Sequence, residues 1–248
     1  MIRPQLLRPL LGLVAAAAVL AAGPAPVSAD VVTIDFQGWN EGIGWSSQVT
    51  VPIAPTGPFS LEGWSDSLAT LDVENFDIAG NADPFIDFGF SFRNTSNVVE
   101  TFTVTITLPV IVNWAASTAG GSIGVTLTDA NFSGGATFAS DGTQPVYLAK
   151  IDGNPLHALM DEPYTLSTAV LGGSIVGNDS FGLPGFTFPS GPLTSSMEVV
   201  LNFTLSPGDR AVVTGTFAVI PEPGTGLVVG LGALALVIGG RVRRRAAG

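Results

Sequence analysis

The sequence predicts an all-β protein, an antiparallel β-sandwich of jelly-roll-like type, and three observations carry that expectation. The first is a period of two. From Thr101 to Leu108 the residues alternate strictly, with Phe102, Val104, Ile106 and Leu108 on one face and Thr101, Thr103, Thr105 and Thr107 on the other. That is the pattern of a strand with one buried and one wet face. The second is turn chemistry: 31 glycines and 18 prolines in 248 residues suit many short strands joined by tight turns. The third is the scarcity of amphipathic helix periodicity and of any strand–helix–strand rhythm that would build a parallel sheet.

Taken in order, residues 31–36, 85–92, 122–128 and 145–151 read as strands, and 165–175 as one strand bent at Gly172-Gly173. Residues 157–162 are expected to make one short helical turn. Near the end, Val199, Leu201, Phe203 and Leu205 share one face, as do Ala211, Val213, Phe217 and Val219. Ser206-Pro207-Gly208-Asp209 between them is a turn signal, with proline at the second position and glycine at the third. The last two strands are therefore expected to form a hairpin.

Composition narrows the chemistry. The absence of cysteine excludes disulfides, zinc-thiolate sites, iron–sulfur clusters and thiol nucleophiles. The formal net charge of −11 is unevenly spread. Arg3 and Arg8 lie at one end and Arg241, Arg243, Arg244 and Arg245 at the other. Between 30 and 220 only Arg93, Lys150 and Arg210 face nineteen acids, a net of −16. Such a surface repels nucleic acid and anionic polymers, so nucleic-acid binding is set aside.

Both ends read as targeting segments. Arg3 and Arg8, an apolar run over 10–22 and the small residues Val27-Ser28-Ala29 make a secretory signal peptide spanning 1–29, cleaved between Ala29 and Asp30. The break Gly23-Pro24-Ala25-Pro26 argues against an uncleaved anchor. At the other end, 224–240 is a 17-residue stretch without a charge. As a helix it would extend about 25 Å, the short limit for crossing a bilayer. Arg241, Arg243, Arg244 and Arg245 then act as a cytoplasmic membrane stop whose long stems can snorkel. A β-sandwich ectodomain over 30–219 is thus expected on the periplasmic side of the cytoplasmic membrane, tethered by one C-terminal helix.

Ile220-Pro221-Glu222-Pro223-Gly224-Thr225, then a single apolar helix, then Arg241-Val242-Arg243-Arg244-Arg245, resembles the PEP-CTERM sorting signal. The resemblance covers 220–248. It implies a Gram-negative, often exopolysaccharide- and biofilm-forming source. It also implies an exosortase, a membrane-embedded cysteine transpeptidase-like enzyme, that recognises Pro221, Glu222 and Pro223, cuts near them and releases or transfers the ectodomain. The same signal occurs on some proteins described as ice-binding. Residues 81–109 are loosely similar to the body of many secreted proteins that carry it, which bears on the fold only.

The body offers little catalytic chemistry. His157 is the single histidine, so a zinc triad cannot form. No Gly-x-Ser-x-Gly elbow accompanies it, and acidic pairs occur by chance among nineteen acids. The chain is expected not to be an enzyme and to need no cofactor. Calcium is the minor alternative, through Asp72, Glu74, Asp77, Asp83 and Asp87 in an acidic stretch without EF-hand spacing. Trp39, Trp45 and Trp64 sit among glycines and polar residues. They suit either a sugar-stacking platform or core plugs, the core being the favoured reading. The threonine rank 101/103/105/107 suggests an ice-binding face only remotely, since one strand is not an array. Four Asn-x-Ser/Thr sequons fall at Asn94, Asn131, Asn178 and Asn202. The expected role is structural or adhesive, at the cell surface or in an extracellular matrix, with exopolysaccharide as a partner. A carbohydrate-binding module, with or without calcium, is the alternative.

Overall fold

The computed structural model describes residues 31–40, 43–53, 58–81, 84–110 and 113–222. Ala29, Asp30, Asp83, Pro223, the 224–240 stretch and Arg241, Arg243, Arg244 and Arg245 lie outside the described residues. Among the described residues the chain is all β, in two antiparallel sheets.

The first sheet runs in the order β10 (Asn154–Leu159), β9 (Tyr147–Ile151), β14 (Ser196–Leu205), β6 (Glu100–Pro109), β1 (Val31–Asn40), β2 (Ile43–Pro52). Beside that path, β8 (Ala136–Ala139) pairs with β14, and β11 (Thr165–Thr168) pairs with β8. The second sheet runs β12 (Ser174–Phe181), β7 (Ser117–Thr128), β15 (Arg210–Pro221), β5 (Phe85–Asn94), β4 (Leu71–Asn81), β3 (Pro58–Leu68), with β13 (Phe188–Pro189) on β7.

The alternation read from the sequence sets the core. Phe102, Val104, Ile106 and Leu108 on β6 are fully buried, while the four threonines between them stay half-exposed. Val199, Leu201, Phe203 and Leu205 on β14, and Ala211, Val213, Phe217 and Val219 on β15, are buried as expected. Aromatic rings bridge the sheets: Phe92 on β5 stacks on Phe203 of β14 at 5.3 Å, and Phe36 on β1 meets Phe76 of β4 edge-on at 6.0 Å. Truncating one such ring to alanine costs about 3–5 kcal/mol.

Three expectations are corrected. β14 and β15 are not a hairpin: they belong to different sheets, and Ser206-Pro207-Gly208-Asp209 carries the chain across the sandwich. Residues 165–175 are not one bent strand. Gly172 has φ +65°, Gly173 N donates back to Val170 O at 2.7 Å, and the chain passes from β11 in one sheet to β12 in the other. His157 lies on β10, not in a helical turn, because residues 154–159 pair with 147–151 through a two-residue turn at Asp152-Gly153.

The three basic residues of the body are each engaged. Arg210 pairs with Glu74 at 3.0 Å, Lys150 approaches Glu198 at 3.8 Å, and Arg93 Nε donates to the Gly208 carbonyl at 3.4 Å.

Candidate functional site

The β1–β2 hairpin decides what the tryptophans do. Its register places Trp39 opposite Gly44 and Gly38 opposite Trp45. Pleating sends odd-numbered residues of β1 outward, so Trp39 leaves the core and Trp45, on the next strand, enters it. Each indole lies over the glycine directly opposite it. A Cβ on Gly44 would sit 2.9 Å from the Trp39 ring, and one on Gly38 would collide with Trp45. The two glycines are the space the two rings fill.

Trp45 is tied down below the sheet. Its Nε1 donates to Thr70 Oγ1 at 2.8 Å, and Thr70 Oγ1 donates to Glu100 Oε1 at 2.5 Å. Glu100 is buried, and its Oε2 has no partner among the described residues. Trp64 also turns inward and stacks on Phe36 at 5.6 Å. Two of the three tryptophans are therefore core plugs. Trp39 is the exception, 60% exposed on the outer face.

Around Trp39 the outer face is polar and uncharged. Thr101 lies opposite it on β6, Gln37 is two residues back and opposite both Thr103 and Ser46, and Thr103 Oγ1 donates to Asn202 Oδ1 at 2.9 Å. One indole face thus stands among hydroxyls and amides, an arrangement suited to stacking on a sugar ring. The threonine rank does not extend as an array, because the facing positions on β1 are Trp39, Gln37, Asp35 and Thr33.

The acidic residues do not converge. Asp72, Glu74 and Asp77 spread along the outer face of β4 and Asp87 along β5. Glu74 is held by Arg210, and Asp77 accepts from the Gly63 amide at 2.8 Å. Among the described residues no three His, Asp or Glu side chains form a metal-holding group. His157 packs between Phe181 and Phe188, with ring centroids 4.6 and 4.8 Å away.

Other carboxylates, not singled out by sequence, carry more structure. Asp152 at the β9–β10 turn accepts from the amides of Thr194, Ser195 and Ser196 and from the hydroxyls of Thr194 and Ser195. Burial works against its charge, but the Ser196 amide, the Thr194 hydroxyl and the Ser195 groups outweigh it and hold the carboxyl well below the usual range. Asp129 is also held low: burial opposes its charge, and the amides of Gly172, Gly134, Ser133 and Phe132 together outweigh that. Asp209 is pushed up, by burial first and then by the charge of Asp129, against a hydrogen bond from the Ser206 hydroxyl.

The Pro-Glu-Pro stretch begins inside the fold. β15 continues through Ile220 and Pro221, opposite Thr118 and Ser117 of β7, and Glu222 N donates to Ala116 O at 3.2 Å. The chain matches no family model and no curated protein.

Proposed function

We propose that the chain is a non-enzymatic exported protein of the cell surface or extracellular matrix, structural or adhesive in role. Its sandwich, jelly-roll-like in the way consecutive strands cross between sheets, is held at the membrane by the C-terminal apolar segment. An exosortase-type enzyme then frees it near Pro221-Glu222-Pro223. One observation carries this reading: β15, in the interior of its sheet between β7 and β5, runs directly into Pro221 and Glu222. Everything after the motif can leave while the paired strands before it stay whole.

The test is replacement of Pro221, Glu222 and Pro223 by alanine in a host that processes such signals. The variant is expected to stay membrane-bound at full length. Release with a wild-type C-terminus would remove the motif from the recognition step.

The exposed face of Trp39 favours a second reading, a carbohydrate-binding surface. Its neighbours Gln37, Ser46, Thr101 and Thr103 offer donors and acceptors without charge, and the net of −16 over 30–220 disfavours anionic polymers. A neutral polysaccharide is the matching ligand. A glycan array read with and without chelator is expected to show binding that Trp39→Ala abolishes. Silence in both conditions would exclude this reading and leave the first intact.

A further inference from the structure

Two carboxylates are enclosed where β7 ends and β15 begins: Asp129, 0% exposed, and Asp209, 1% exposed. Asp129 opens the loop Asp129-Ala130-Asn131-Phe132-Ser133-Gly134-Gly135. Its Oδ1 accepts from Ser133 N at 3.0 Å, and its Oδ2 from Gly134 N at 3.0 Å and Gly172 N at 3.1 Å. Asn131 Oδ1 accepts from Ser133 N at 2.8 Å, and Ser133 Oγ lies 3.3 Å from the Gly135 carbonyl. Gly134 turns the chain at φ +92°.

This order of oxygens has a meaning. Asp, Asn and Ser at positions one, three and five, glycine at six and a backbone carbonyl at seven are the first seven positions of a calcium loop of EF-hand type. The twelfth position here is Ser140, which cannot supply the usual bidentate carboxylate. A carboxylate comes instead from another segment, the corner between β14 and β15. That corner is packed on the loop: Asn131 Nδ2 donates to Pro207 O at 2.5 Å, and a Cβ on Gly208 would lie 2.8 Å from Asn131 Nδ2.

A second, independent observation points to a cation. Asp209 Oδ2 accepts from the Ser206 hydroxyl, but Oδ1, fully enclosed, has no hydrogen-bond partner. The amides of Ala130 and Asn131 lie close enough to favour the charged carboxylate, but neither completes a hydrogen bond to Oδ1. An enclosed carboxylate oxygen without a donor is rare, because its desolvation is uncompensated.

We propose that Asp129, Asn131, Ser133, the Gly135 carbonyl and Asp209 form a calcium site that clamps the β7–β8 loop onto the β14–β15 corner. The donors are all oxygen, which disfavours zinc. Magnesium demands a near-ideal octahedron, whereas calcium accepts a mixed set of carboxylate, amide, hydroxyl and carbonyl oxygens. With only two charged ligands the dissociation constant falls on the order of 10⁻⁴ to 10⁻³ M. The residues are separate from the acidic stretch around Asp72 to Asp87.

The experiment uses the full chain in detergent, purified through chelator. Unfolding is followed by tryptophan fluorescence in EDTA, in 10 mM calcium chloride and in 10 mM magnesium chloride. Calcium is expected to raise Tm by roughly 5 °C, with magnesium giving less than half of that. Asp209→Asn keeps the size of the side chain and is expected to fold in EDTA with no calcium response. Ser133→Ala, a milder change, is expected to need roughly tenfold more calcium for the same shift. Two results overturn the proposal. One is a wild-type Tm identical in calcium and EDTA, which would mean that Asp209 carries a proton rather than an ion. The other is a calcium shift undiminished in both variants.

Discussion

Asn94 bonds the carbonyl of Leu205 through Nδ2 at 2.8 Å, across 111 residues of chain. The same Nδ2 donates to Val98 O at 2.8 Å, and Asn94 Oδ1 accepts from the amide and hydroxyl of Ser96. Its backbone joins the same connection: Gly208 N donates to Asn94 O at 2.8 Å, and Asn94 N to Asp209 O at 3.1 Å. Two of the corners where the chain changes sheets, β5 to β6 and β14 to β15, therefore meet on one buried side chain. The amide is fully committed, so the sequon at Asn94 cannot be modified in the folded protein. Asn94→Ala leaves two carbonyls without their donor and is expected to cost about 2–4 kcal/mol, read from the urea midpoint at unchanged m-value. A loss below about 0.5 kcal/mol would mean that the backbone bonds alone hold the corners.

The two indoles of the first hairpin should separate cleanly. Trp39→Ala removes an exposed ring from the outer face and is expected to change stability by no more than about 0.5 kcal/mol. Trp45→Ala empties the space over Gly38 and strands the Thr70–Glu100 pair, at about 3–5 kcal/mol. Thermal unfolding of the two variants side by side checks this. Equal losses would place Trp39 in the core and remove the platform.

Asp152 makes the fold acid-sensitive at one turn. Its folded value lies below that of an unfolded aspartate, about 3.9. The stability it contributes is therefore complete above the unfolded value and is lost as pH falls toward the folded one. At pH 7, Asp152→Asn is expected to cost about 1–2 kcal/mol, the low end for charged hydrogen bonds because the turn is open to solvent. Urea midpoints at pH 7, 5 and 3 should show the gap between wild type and variant narrowing below pH 4. A constant gap would show that the five bonds do not depend on charge.

What the sequence revealed, and what it hid, follows from the range of each signal. Strict alternation on β6 names a strand and its buried face, and all four apolar residues are buried. Pro207-Gly208 specifies a reversal, but the same turn chemistry serves a hairpin and a crossing between sheets. Which one forms depends on partners β6 and β7, about a hundred residues away. Trp39 and Trp45 look alike in composition, yet hairpin register sends one out and the other in. The acidic stretch at 72–87 stands out by density, while Asp129, Asn131, Ser133 and Gly135 carry only the first part of a calcium-loop spacing. A complete calcium loop needs a carboxylate at its twelfth position, and in the proposed site Asp209 supplies it from the distant β14–β15 corner that Asn131 holds through Pro207 O.

The end of β15 limits where a processing enzyme can cut without damage. Thr118 pairs with Ile220, Ser117 with Pro221, and Glu222 N reaches Ala116 O at 3.2 Å. Cleavage before Ile220 would strip an interior strand of its last pairings beside buried Val219. Proline at 221 has no amide to donate, so that end is held by Ile220, by the carbonyls and by the Glu222 amide. If the chain is processed as proposed, the product is therefore expected to end at Glu222 or later, as read from its intact mass. A truncation after Val219 should unfold at a Tm a few degrees lower than one after Pro223, since two or three ladder bonds are worth about 1–3 kcal/mol. A natural product ending before Ile220, equally stable, would show that the motif lies outside the fold.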